Sequence, residues 1–122
     1  MSGTIGGVKR TALARRTPVE SNIQSAICDY LAAKRHFFWR QNTTPTIQKR
    51  EGGWAFRRMP KHSLKGVADI ILVYAGRPYF LEVKRLRTYQ SPEQKDFQKR
   101  AEAAGGLYAV VRSIEDVQAL GL

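Results

Sequence analysis

Cysteine is almost absent from this chain: Cys28 is the only one in 122 residues, so no intrachain disulfide can form. No set of Cys and His has the spacing of a zinc site. A reducing cytoplasm is the expected setting. Long apolar runs are missing too. No stretch approaches the roughly 20 apolar residues of a membrane span, and the first residues lack the apolar run of a secretory leader. Arg15-Arg16 is followed by polar Thr17 to Gln24, which excludes a twin-arginine signal. No glycine-rich phosphate loop opens a helix, since Gly105-Gly106 closes one, so no nucleotide cofactor is expected. Acidic residues are scarce: 10 Asp plus Glu stand against 21 Lys plus Arg, a formal charge of +11. That surplus favours a polyanionic partner, with nucleic acid first. An anionic membrane surface ranks last, because the basic residues are spread over loops and helices rather than gathered on one amphipathic helix.

The length suits one domain with a core, spanning residues 17–122. Met1 to Arg16 is basic, rich in Gly and Thr, and without periodicity, which predicts a flexible arm. Thr17-Pro18-Val19-Glu20 has the form of a helix start, with Thr17 as cap and Glu20 completing a capping box. Ile23, Ile27, Tyr30 and Leu31 then recur at helical spacing to about Lys34, and Cys28 is expected in the core. Phe37 to Arg40 and Trp54 to Arg58 suit strands, with a polar, turn-rich segment between them. Ala68 to Tyr74 and Tyr79 to Lys84 are the clearest strands, and both faces look largely buried. Ser91-Pro92-Glu93-Gln94 starts a second helix running to about Ala104, and Gly105-Gly106 stops it. Phe97, Ala101 and Ala104 should face the sheet. Leu107 to Arg112 suits a returning strand, and Ser113 opens a short closing helix. The expected order is α-β-β-β-β-α-β-α, an α/β fold with a central mixed sheet flanked by helices.

The two clear strands invite threading as a hairpin. With Gly76-Arg77 as the central residues of a type II′ turn, Tyr74 pairs with Tyr79, Ile71 with Glu82 and Asp69 with Lys84. Side chains alternate with period two, so Asp69, Glu82 and Lys84 share one face at the open end, with Val73 and Phe80 nearer the turn. Asp69 and Glu82 become diagonal neighbours about 7 to 8 Å apart, close enough to share a divalent ion. Magnesium or manganese suits hard oxygen ligands; such an ion can activate water and stabilise charge on a phosphate, with Lys84 beside it. The competing reading is an ordinary cross-strand ion pair. It is weakened because Glu82 and Lys84 interrupt an apolar strand, where an uncompensated buried charge costs several kcal/mol by roughly the usual scale. His36 and His62 each stand alone among basic residues and are poor candidates for a general base.

Asp69 followed thirteen residues later by Glu82-Val83-Lys84 resembles the Asp and Glu-x-Lys signature of the PD-(D/E)XK nucleases. The surroundings sharpen the likeness: Glu20 and Gln24, Arg40-Gln41-Asn42, Gly66-Val67-Ala68-Asp69-Ile70 and Ser91-Pro92-Glu93-Gln94 together resemble the VRR-NUC domain over about Thr17 to Ser113. Two departures concern loop geometry. Ala68 stands where the family often has proline, and Thr43-Thr44 where it often has Ser-Gly.

The resemblance implies a restriction-endonuclease-like core and Mg2+- or Mn2+-dependent cleavage of branched or structured DNA. It implies a metal site of Asp69, Glu82, the Val83 carbonyl and Glu20, with Lys84 and Gln94 catalytic. It also suggests a small phage-type protein acting as a homodimer on four-way junctions, in the cytoplasm of a bacterial host. Glu20 and Gln94 have alternative roles as helix-capping residues. Arg40, Asn42, Lys49, Arg50, Arg57, Arg58, Lys61, Lys65, Lys95 and Lys99 are the candidate DNA contacts, of which Lys95 and Lys99 should contribute phosphate affinity rather than sequence reading. The rival function is a nucleic-acid-binding module without catalysis, which would lose affinity with salt yet cut nothing.

Overall fold

The computed structural model describes residues 19–41, 47–50, 53–56 and 60–122, the two short middle segments by backbone alone. The expected arm Met1 to Arg16, the cap Thr17-Pro18, Asn42, Thr43-Thr44 and Arg57-Arg58 lie outside the described residues. The elements are α1 (Glu20–Ala33), β1 (Phe37–Arg40), β2 (Ile47–Arg50), β3 (Gly53–Phe56), β4 (Ile70–Tyr74), β5 (Arg77–Val83), α2 (Pro92–Ala103), β6 (Leu107–Val111) and α3 (Ile114–Gln118). One strand was not expected. Ile47–Arg50 pairs antiparallel with Gly53–Phe56. Its sequence, Ile-Gln-Lys-Arg, has a single apolar residue and therefore no alternation from which a strand could be read.

The main sheet has the order β1-β4-β5-β6. β1 and β5 run antiparallel to β4, while β6 runs parallel to β5. A parallel pair needs a crossover, and α2 supplies it. The helices cover both faces. Ile27 and Leu31 of α1, with Val117 of α3 and Leu122, pack on Ile70, Leu72, Leu81, Val83 and Val111. On the other face Phe97 and Ala101 of α2 pack with Ala68 and Tyr108, flanked by Phe80 and Val110. Burying Phe97 contributes roughly 1.5–3 kcal/mol. Ala104, expected on this buried face, is instead the exposed C-cap of α2, where the chain has already turned away from the sheet.

The hairpin differs from its expected threading. Ladder pairs run Ile70 with Leu81, Ile71 with Phe80, Leu72 with Tyr79, Val73 with Pro78 and Tyr74 with Arg77. The central residues are Ala75 and Gly76, with φ of 52° and 76°, the two positive angles of a type I′ turn rather than type II′. Type I′ matches the right-handed twist of the flanking strands, and Gly76 takes the second position at no steric cost. The register therefore moves by two residues. A shift of two preserves which face each side chain takes, so Asp69, Glu82 and Lys84 stay together, and continuing the ladder one step sets Asp69 opposite Glu82 rather than Lys84. The strands are less enclosed than expected at the turn end, where Val73 and Tyr74 are exposed, and fully enclosed from Leu81 to Val83.

Ala75 carries the strain of this turn, since a non-glycine residue in the left-handed region costs about 1–2 kcal/mol. Replacing Ala75 with glycine is expected to raise stability by about 0.5–1 kcal/mol, after the entropy lost by a freer unfolded chain. Urea unfolding of the two proteins measures it.

Candidate active site

The open end of the β4–β5 hairpin brings two carboxylates and an ammonium group together. Asp69 sits just before β4. Its Oδ2 accepts the Val83 N–H at 2.8 Å, and its carbonyl accepts the Gln41 N–H at 2.8 Å. Asp69 is thus held from both neighbouring strands. Glu82, in β5, is 2% exposed and is the buried charged residue of the described core. Its Oε2 accepts from Gln94 Nε2 at 3.0 Å and lies 3.7 Å from Lys84 Nζ. Its Oε1 is buried and has no hydrogen-bond partner.

Burial raises the Glu82 carboxyl to about pKa 8, the negative charge of Asp69 pushes in the same direction, and Lys84 offsets part of the rise. A hydrogen bond between the protonated Glu82 carboxyl and Asp69 adds to the rise, so a proton or a cation relieves the repulsion of the pair. A divalent cation fits this donor set: two hard carboxylates face one another, one buried oxygen is unpartnered, and one lysine leaves the group a net negative charge when both acids are ionised.

The helix that meets this face is α2. Ser91 and Gln94 form the capping box expected of Ser91-Pro92-Glu93-Gln94. Gln94 Oε1 accepts the Ser91 N–H at 2.9 Å, which turns its Nε2 toward Glu82. The oxygen of one amide thus completes the helix cap while its nitrogen reaches Glu82. Gly66 allows α2 to come close enough: it has a φ of 72°, and a Cβ there would stand 2.4 Å from the carbonyl carbon of Glu93. The Gly66-Val67-Ala68-Asp69 segment is thereby seated against the first turn of α2.

Glu20 reaches the residue that follows Lys84. The N-cap of α1 is Val19, without a side-chain cap bond, and Glu20 Oε2 is 3.1 Å from Thr88 Oγ1 and 3.5 Å from the Arg85 N–H. Glu20 therefore secures the loop that follows Lys84. Among the described residues, no group of three or more His, Cys, Asp or Glu is arranged to hold a metal ion, so Asp69 and Glu82 stand as a pair. Val83 lies between Glu82 and Lys84 with its N–H occupied by Asp69.

The candidate DNA contacts divide by location. Arg40 is paired with Ile70 at the end of β1, next to Asp69, and its Nε donates to Gln24 Oε1 at 2.8 Å. Lys61 and Lys65 are exposed on the segment leading to Asp69, and Lys95 and Lys99 are exposed on α2. Lys49 and Arg50 lie in β2, and Asn42, Arg57 and Arg58 are outside the described residues. His36 packs edge-on against Tyr74 at the turn end of the hairpin, away from the carboxylates, and His62 is exposed. Cys28 packs against the core as expected.

Thr88 and Arg112 escaped the sequence reading. Arg112 Nη1 donates to the carbonyls of Arg85 at 2.7 Å and Thr88 at 2.9 Å. A lone arginine at the end of a strand carries no pattern that would announce this.

No protein-family model matches the chain, and no curated protein matches it.

The raised Glu82 group predicts how the metal-free protein responds to pH. The folded state holds the Glu82 proton to about pH 8, whereas an unfolded glutamate releases it near its ordinary 4.5. Between these values the folded state binds more protons, so this group's contribution to stability declines as pH rises from about 4.5 to about 8 and levels off beyond. Thermal unfolding in chelator across that window should show a decline that is markedly flatter in Glu82→Gln. An equal decline in the two proteins would contradict the assignment.

Proposed function

We propose that this protein is a divalent-metal-dependent deoxyribonuclease with a VRR-NUC-like site in a PD-(D/E)XK core. The observation that carries the reading is Asp69 set opposite the buried Glu82, with Glu82 Oε1 unpartnered and Lys84 Nζ 3.7 Å from Oε2. The charge of +11 supports a nucleic-acid substrate, and the exposed Lys61, Lys65, Lys95 and Lys99 supply phosphate contacts on the approaches to the pair.

Asp69, Glu82 and the Val83 carbonyl would hold Mg2+ or Mn2+. Such an ion, when bound, lowers the pKa of water and stabilises negative charge on a phosphoryl oxygen. The chain's own groups do the rest. The Val83 N–H fixes the orientation of Asp69, and Gln94 fixes that of Glu82. Lys84, only 12% exposed along its side chain, presents a desolvated ammonium group that can orient the attacking water or meet the charge that grows on the phosphate. Water attacks phosphorus as the P–O ester bond breaks, and the departing oxygen takes a proton.

Each chain offers one such site, so symmetric cutting of two strands requires two copies. The reading accordingly extends to a homodimer acting on branched DNA such as four-way junctions, within a bacterial cytoplasm and a phage context. No helix among the described residues is long and apolar enough to cross a membrane.

Cleavage of labelled junction, flap, single-stranded and duplex DNA with Mg2+, Mn2+ or chelator tests the proposal. Metal-dependent cutting is expected, falling by about 100-fold or more in Asp69→Ala and in Lys84→Ala, the scale for removing an electrostatic group from a desolvated site. Tight, salt-sensitive binding without cutting under any metal condition would replace the enzyme with a binding module.

A further inference from the structure

The loop between β5 and α2 has features that the cleavage site does not use. Immediately after Lys84, the Arg85 carbonyl accepts the Thr88 N–H at 3.2 Å, closing a turn in which Arg87 has a φ of 64°. A non-glycine residue held in the left-handed region persists only where its surroundings over-determine it. Here three side chains do so. Arg112 ties down the carbonyls of Arg85 and Thr88, Glu20 holds the Thr88 hydroxyl, and Gln90 Nε2 donates to Gln98 Oε1 at 2.9 Å.

This anchored turn presents apolar side chains to solvent. Tyr89 is 74% exposed and Leu86 67% exposed, and Tyr89 is more open to solvent than Phe37, at 68%. The Tyr89 ring is also oriented: the Arg112 guanidinium carbon lies 5.6 Å from its centroid, over one face. The high exposure leaves the opposite face open. A rigid aromatic ring with one free face, flanked by Arg85 and Arg87 in a strongly basic protein, has the chemistry of a nucleobase stacking platform. Tyr89 is five residues beyond Lys84, so even a fully extended chain separates them by no more than about 18 Å. In a paired duplex the bases are stacked on one another and have no free face for a tyrosine.

We infer that Tyr89 stacks on an unpaired base beside the scissile phosphate, so that among branched substrates those carrying unpaired nucleotides next to the cut, such as flaps, are held more tightly than fully paired ones. Its location relative to a cut rests on the nuclease reading, whereas the stacking itself does not.

The test separates the two. Binding is measured in chelator, where no cutting occurs, to a flap and to a fully paired duplex of the same sequence, with 2-aminopurine at the unpaired position reporting stacking. Native protein and Tyr89→Phe should bind the flap alike and quench the probe. Tyr89→Ala, which alters an exposed ring and not the core, should bind the flap about tenfold more weakly, lose the quenching and bind the duplex unchanged. Undiminished flap binding and quenching in Tyr89→Ala overturns the inference, as does equal weakening on flap and duplex. Metal-dependent cutting without any Tyr89 effect removes the platform and spares the nuclease; a Tyr89 effect in a chain that never cuts removes the nuclease and spares the platform.

Discussion

A carboxylate buried beside another carboxylate is the constraint around which this molecule is arranged. Leaving Glu82 ionised inside a core is costly, and Asp69 adds repulsion to desolvation. Lys84 and Gln94 compensate one oxygen, while the other is left without a partner. Sites that bind cations accept such a cost because the ion offsets it on arrival. The raised Glu82 group has its causes in burial and in the neighbouring Asp69, and its Oε1 is buried without a hydrogen-bond partner.

The surrounding fold serves to hold that arrangement in place. The type I′ turn sets the register that brings Asp69 level with Glu82. Gly66 lets the segment before Asp69 lie against the first turn of α2, and the capping box of that turn aims Gln94 at Glu82. Helix stability and site geometry thus share one side chain. On the far side of Lys84, Glu20 of α1 and Arg112, just after β6, secure the next loop. The site lies where the ends of several elements meet at the open end of a hairpin.

Much of this could be read from residue types and spacing. The helices announced themselves through Ser91-Pro92-Glu93-Gln94 and the Ile23, Ile27, Leu31 spacing, and the strands through their apolar runs. The convergence of Asp69, Glu82 and Lys84 survived an incorrect turn because a slip of two residues leaves every side chain on its face. What escaped depends on partners distant in sequence. Ile47–Arg50 forms a strand through pairing with Gly53–Phe56 rather than through its own pattern. The bonds of Glu20 to Thr88 and Arg85 could be found only once the chain was folded. The role of Arg112 likewise comes from two backbone carbonyls that no sequence motif records.

The central claim is that Asp69 and Glu82 form a cation site, and it can be examined apart from any cutting of DNA. Binding of Mn2+ by the DNA-free protein, followed by the paramagnetic resonance of the unbound ion, is the most direct measurement. The account predicts one ion per chain in the native protein, lost in Asp69→Ala and in Glu82→Gln. Superimposable titrations of the native protein and Asp69→Ala would contradict it and return the pair to a structural role.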